Sequence, residues 1–273
     1  MHHTITLPWS MDSIDYAQID TRRMRANDDL MCLLCASSFV ESGADVYAHN
    51  LVHHYDGDEE VQTWLRDHWE HEEAQHGRAL AAYVTHVWPE FDWDASFKTF
   101  FAEYKDICTQ ELLEPSRGLE MAARCIVEMG TSTLYRAIHD STDEPVLKAL
   151  TSHIKSDEVH HYKYFYRYFR KYQAQQHYGR FTVMRVLWKR LRDIGNSESD
   201  IVLRHVFQQR HPEYLVDEAT FHRHTRRIYA FVRRHLPASM AINMVLKPLQ
   251  LPPRLHHGIR GPLTWAVNHF TLN

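Results

Sequence analysis

Two segments of this chain repeat one arrangement, and that repeat constrains the fold more than any other feature. Glu72-Glu73-Ala74-Gln75-His76 and Asp157-Glu158-Val159-His160-His161 both read acid-Glu-x-x-His. On a helix, residues three apart lie one turn apart on the same face, so each Glu/His pair can reach a single ion. One such match is weak evidence: in a chain with 22 histidines, roughly one or two arise by chance. Two further glutamates raise the specificity. Glu41 sits in Ser38-Phe39-Val40-Glu41-Ser42-Gly43-Ala44, and Glu128 in Cys125-Ile126-Val127-Glu128-Met129-Gly130. Each is a lone carboxylate in an apolar surround, about one helix upstream of a Glu-x-x-His. An ionised carboxylate buried without a partner costs several kcal/mol, so both should be protonated or paired.

The remaining sequence supplies the helices this pattern needs. Glycine is scarce, at nine residues, and no segment alternates with the period of a strand. A first helix runs from about Asn27 to His54 and ends at the Asp56-Gly57-Asp58 turn. A second carries Asp58, Glu59 and Glu60 in its first turn and reaches about Trp88, where Pro89 stops it. A shorter helix covers about Asp94 to Glu111. A third long helix follows Pro115 to about Ile138, and a fourth starts near Asp143-Glu144-Pro145 and runs through Lys171. Four long helices with short connections imply an antiparallel bundle with its core at about 27–172. Beyond Gly179 the pattern gives helices at about 180–194 and 217–236 and then a Pro-rich tail. No linker sets this part apart. Residues 1–273 therefore read as one all-α domain, a four-helix bundle with a C-terminal helical extension at about 178–273. At 44% apolar and 24% charged residues, the chain has the composition of a globular protein with a substantial core.

Other function classes are disfavoured. No stretch approaches the roughly 20 uninterrupted apolar residues of a membrane span, and Met1-His2-His3-Thr4 lacks the start of a signal peptide. The expectation is a cytoplasmic protein. A net charge of −4 argues against nucleic acid as partner, although Tyr162–Arg192 holds nine Lys/Arg and no Asp/Glu and would favour an acidic surface. Cys32 and Cys35 lie in an apolar run with neither a βαβ pattern nor a second cysteine pair, and read as buried thiols on a core-facing helix.

One Glu from each of two helices, with Glu-x-x-His from each of two others, is the ligand arrangement of di-iron and di-manganese carboxylate bundles. Carboxylate plus imidazole suits iron or manganese, and the absence of cysteine disfavours an iron–sulfur cluster. The expected ligands are Glu41, Glu73, His76, Glu128, Glu158 and His161. The plain alternative is a helical bundle with solvent-facing Glu and His.

At these residues the sequence resembles the soluble acyl-carrier-protein desaturases of the ferritin-like superfamily. Trp69-Glu70-His71-Glu72-Glu73-Ala74-Gln75-His76-Gly77 is similar to that family's Trp-x-x-Glu-Glu-Asn-Arg-His-Gly signature, with Ala74-Gln75 in place of Asn-Arg. Asp157-Glu158-Val159-His160-His161 resembles its Asp-Glu-x-x-His segment. The resemblance covers about Asp28 to Lys171. It implies the same six ligands to two iron ions, with manganese as the alternative. It further implies that Asp157 accepts from the far ring nitrogen of His76, and Glu72 from that of His161. Thr131 matches a family threonine on the oxygen-binding side of the metals, where it would relay protons or simply bond back to a carbonyl. Trp9 corresponds to the family's electron-relay tryptophan, or else is a packing residue.

The function implied is oxygen-dependent desaturation, or related oxidation, of an acyl chain on acyl carrier protein. Dioxygen would be the oxidant and a ferredoxin-like protein the electron donor. The basic stretch after Tyr162 would offer a docking surface for the acidic carrier, and a homodimer is left open. Such an enzyme would need an elongated apolar cavity reaching the metals, with Ser38, Gly43, Ala44 and Gly130 leaving room for it. Two rivals remain: another di-iron oxygenase, such as an amine N-oxygenase, and a non-enzymatic ferritin-like iron-binding protein. A ribonucleotide reductase small subunit is disfavoured, because Leu80 stands where its radical tyrosine would be.

Overall fold

The computed structural model describes residues 7–194 and 198–270, and among these it is helical with no strand. An N-terminal strap with short turns at Met11–Ser13 and Tyr16–Gln18 leads into α1 (Thr21–Met24). α2 (Asp28–Ser42) starts where the sequence indicates: the Asn27 side chain accepts from the Leu30 N–H, and Asp28 and Asp29 occupy the first turn. The single long helix expected here is two. Gly43 closes α2, its N–H bonding to the Phe39 and Val40 carbonyls, and α3 (Ala44–His54) restarts at the next residue. The second expected helix is also divided, into α4 (Glu59–Trp64), a π-helical turn (Leu65–Trp69) and α5 (Glu70–Val87). That turn lies one residue before the first acid of the Glu-rich segment, and such wide turns are frequent at functional positions.

α6 (Trp93–Ile107) precedes α7 (Arg117–Ser141) and α8 (Pro145–Gln176). Glu144 caps α8, accepting from the Val146 and Leu147 N–H groups, while Pro145 presets the first helical residue. α7 packs along α8, α2 along α5, and α5 against α8 joins the two pairs. Gly77 allows the α2–α5 approach: a Cβ there would lie 2.6 Å from the Ser42 amide nitrogen. The closeness brings Glu41, beside Ser42, to the level of Glu73 and His76.

One apolar cluster, around Met31, Leu34, Phe39, Leu80, Leu147 and Ile154, lies between α2, α5 and α8. A second, around Trp69, Ile126, Phe165 and Phe169, lies toward the opposite end. Cys32 and Cys35 are buried and free, and burial pushes both thiols up. Among the described residues, only Asp28–His54 is long and apolar enough to cross a membrane, and 67% of that window is buried inside the protein.

The C-terminal part is more helical than its sequence suggests. α9 (Arg180–Ile194) packs on α7, as does α12 (Ala238–Leu246). α10 (Glu198–Arg210) lies on α2 and α6, and α11 (Glu218–Arg234) on α2 and α7. The stretch read as a Pro-rich tail forms α13 (Pro253–Phe270), with Pro253 at its start and Pro262 inside.

Candidate metal centre

Each of four helices contributes to one buried cluster: Glu41 from α2, Glu73 and His76 from α5, Glu128 from α7, Glu158 and His161 from α8. All six are buried, from fully so to 7% exposed for Glu73. Their donor atoms fall into two sets. Glu41, Glu73, His76 and Glu158 form one, and Glu73, Glu128, Glu158 and His161 the other; within each, the atoms lie within 4.8 Å of one another. Glu73 and Glu158 belong to both. The carboxylates of the two Glu-x-x-His segments are thus the ones placed to bridge, while Glu41 and Glu128 each stand at one end.

The histidines show what the cluster lacks. His76 Nε2 lies 3.0 Å from Asp157 Oδ2, and His161 Nε2 lies 2.7 Å from Glu72 Oε2. A carboxylate only accepts, so each Nε2 must carry the hydrogen, and in the neutral ring each Nδ1 presents a lone pair. His76 Nδ1 faces Glu158 Oε1 at 3.2 Å, and His161 Nδ1 faces Glu73 Oε1 at 3.0 Å. Neither Nδ1 makes a hydrogen bond, nor does Glu158 Oε1. Lone pairs aimed at carboxylate oxygens are repulsive unless a proton or a cation stands between them. Four carboxylates with two neutral imidazoles carry a formal charge that two divalent ions would balance. The residues therefore fit a pair of divalent metal ions.

Ionisation in the metal-free fold points the same way. Burial drives Glu73 well above the usual carboxylate range, with Glu158 and Glu41 adding to the effect. Burial also raises Glu128 to about 7. Glu158 is held low although burial opposes this, because the His161 and His76 imidazoles beside it, when protonated, favour its charge. Both imidazoles are likewise pushed well up against the effect of burial, by the carboxylates around them. Protons hold the places that cations would take.

Further side chains set this geometry. Asp157 Oδ2 accepts from Trp9 Nε1 at 2.6 Å as well as from His76, and the Trp9 ring stacks on His153 with centroids 5.1 Å apart. Thr131 Oγ1 donates to Glu158 Oε2 at 2.6 Å, and its own helix's Glu128 carbonyl, at 3.3 Å, is the longer alternative for its one hydroxyl hydrogen. Trp64, just before the π-helical turn, and Trp69, its last residue, flank His161 with ring centroids at 6.4 and 6.5 Å.

Two residues were missed by the sequence reading. Arg124, one turn before Glu128, is buried among Tyr47, Trp69 and Phe165 and donates to Glu128 Oε1 at 3.3 Å. An arginine inside Ala122-Ala123-Arg124-Cys125-Ile126 was the available signal. Tyr135, two turns after Glu128, hydrogen-bonds to Glu41. Its spacing put it on the ligand face.

A cavity of about 80 Å³ reaches the cluster, touching Glu41, Glu73, Glu128 and Glu158. Val40, Ala44 and Val127 line it together with Arg124, and α9 adds Arg190 and Asp193. α9 thus places charged groups at this cavity, whose volume is far below the roughly 300–1,000 Å³ of sites for drug-sized ligands. Part of the basic stretch is already paired with acids of the same chain. Arg167 and Lys171 pair with Glu60, Lys189 with Glu114, and Arg190 approaches Glu120 at 3.9 Å. No protein-family model and no curated protein matches this chain.

Proposed function

We propose that this chain is a ferritin-like, carboxylate-bridged di-metal oxidoreductase that uses dioxygen, with two iron ions as its resident metals and manganese as the alternative. The observation that carries this reading is the sharing of Glu73 and Glu158 by two buried ligand sets, each closed by a histidine tied at its far nitrogen to an outer carboxylate. When bound, a reduced iron pair supplies the electrons that convert dioxygen into an oxidant.

The chain's own residues do the rest. Asp157 and Glu72 fix the tautomer and orientation of His76 and His161. Arg124 holds the outer oxygen of Glu128, and Thr131 keeps a proton at Glu158 Oε2. Trp9 links the Asp157–His76 pair to the partly exposed His153, and this is where a ferredoxin-like donor would deliver electrons. The apolar walls around the cluster limit its access to water.

The cavity narrows the substrate. Acyl carrier protein with a long acyl chain, the substrate implied by resemblance, needs more room than about 80 Å³ provides. Oxidation of a small or short-chain substrate, amine N-oxygenation included, fits that space better. The experiment is anaerobic loading with ferrous iron, followed by a measured pulse of dioxygen. The expected result is saturation at about two irons per chain and uptake of dioxygen in proportion to the di-iron content. Continued iron uptake far beyond that ratio, in a large shell, would instead assign the chain to iron storage.

A further inference from the structure

α9 lies outside the four-helix bundle, yet it lines the cavity at the metal cluster with Arg190, which is 9% exposed. A buried guanidinium is normally held by carboxylates in close, often two-pronged contact. Among the described residues Arg190 finds no acid closer than Glu120, at 3.9 Å, which is beyond hydrogen-bond range. Glu120 lies outside the cavity lining. The same Glu120 oxygen already accepts from the Glu114 N–H at 2.7 Å, and burial pushes its carboxyl up, toward the neutral form. Arg124 also lines the cavity and is 5% exposed. It donates to Glu128, while its buried Nε makes no hydrogen bond. A guanidinium carries five N–H donors, so both arginines hold unused donors at a buried site. Such donors are costly to leave unmet.

Charge and shape name what would complete them. With the four cluster glutamates balanced by two divalent ions, the charged groups left at the cavity are Arg124 and Arg190 against Asp193. Asp193 stands one turn beyond Arg190 on α9 and is partly exposed, so solvent screens it more than it screens the arginines. Val40, Ala44 and Val127 add apolar wall to a volume of about 80 Å³. We infer that the substrate is a small aliphatic carboxylate, bound through its carboxylate to Arg190 and Arg124, with its short chain against the apolar wall beside the metal cluster. The inference rests on the proposed di-metal function for the chemistry done there, whereas the binding itself needs no dioxygen. A planar carboxylate accepts two parallel N–H bonds from one guanidinium, with charge assistance that a neutral amide lacks. A simple amine would instead bring a third cation to the same space. The C-terminal extension thereby supplies specificity: the bundle holds the metals, and α9 adds the arginine that selects an anion.

The test uses the full chain loaded with zinc, which takes carboxylate and imidazole ligands but undergoes no redox change. Propionate and propionamide, matched in size, are titrated calorimetrically, and metal content is measured in the same samples. Propionate should bind at least about tenfold more tightly than propionamide. Arg190→Gln should weaken propionate about tenfold or more with zinc content unchanged, and Arg190→Lys should recover part of the loss. Absence of propionate binding, or equal binding of the two probes, overturns the inference. So does unchanged propionate binding by Arg190→Gln, which would mean that the metals alone hold the carboxylate. A parent protein that takes up no zinc would instead sink the di-metal reading, and the same titration of the metal-free chain would still decide the inference.

Discussion

The interior around α5, α7 and α8 and the outer surface of α9 invert each other's chemistry. In the first, carboxylates occupy positions that a core normally gives to aliphatic side chains: Glu128 is 1% exposed and Glu158 fully buried. In the second, Phe181 and Trp188 stand in solvent at 74% and 63% exposure. Each is unfavourable alone, since buried charge calls for countercharge and exposed apolar surface calls for cover. The two differ in how firmly they are held. The cluster side chains face one another and their outer carboxylates, whereas Phe181 and Trp188 face solvent. Substitutions should therefore have large, specific effects inside and small ones outside.

The largest expected effect falls on the shared carboxylates. Glu73→Ala/Glu158→Ala removes a ligand from both sets twice over, so metal analysis after loading should fall from about two ions per chain to near none. Full occupancy in that variant would sink the assignment. The single changes Glu128→Ala and His161→Ala should each lose at least one ion and leave the helical circular dichroism intact.

A pH series sharpens the contrast next. Burial raises Glu128 from its ordinary 4.5 to about 7 in the metal-free fold. A carboxyl raised in this way contributes stability at low pH that is lost as the pH climbs through its folded value, up to about 3 kcal/mol for one such group. Chelated protein should thus lose denaturant stability between about pH 5 and pH 8, while loaded protein does not, and metal affinity should tighten over the same interval as ions displace protons. A chelated protein equally stable at both ends would contradict this.

Gly77→Ala probes the helix approach on which the cluster depends. Its Cβ would press on the Ser42 backbone, so a loss of about 1–3 kcal/mol is expected, read as a lower Tm, together with weakened metal binding. Asp157→Ala should be milder for the fold. Loss of such an outer hydrogen bond lowers metal affinity or activity about 10–100-fold, which titration and single-turnover dioxygen uptake would detect. The smallest effect is expected at the surface: Trp188→Ser should alter stability by no more than about 0.5 kcal/mol and leave metal content unchanged. A large drop in Tm there would mean that the outer face is packed after all.

Much of the site could be read from the sequence because helical spacing decides which side chains share a face. The Glu/His pairs at 73/76 and 158/161 needed only that rule, and Glu41 and Glu128 only their apolar surroundings. What could not be read depends on register between elements. Tyr135 is an ordinary core aromatic until α2 is laid beside α7 and brings Glu41 to its hydroxyl. The break at Gly43 sits in a continuous helical pattern, and the tight packing of the Tyr104 ring, 3.2 Å from where a Cβ would be, is set by an element about 60 residues away. The small, partly charged cavity depends on where α9 lies, and nothing local to α9 states that. α13 was hidden by its prolines, which resemble a tail although one of them stands at the favourable first position of a helix.

The N-terminal strap has a consequence for the order of assembly. The bond from Trp9 to Asp157 joins residues 148 apart in sequence, and Gln75 and Tyr16 fasten the same strap to α5. Closing so long a loop is entropically costly and forms late relative to local helix pairing. During synthesis the strap emerges first, yet it has no complete docking site until α8 has been made and packed. His76 therefore gains its full support only once α8 is in place, so a nascent chain can pair its earlier helices before the Trp9 connection exists.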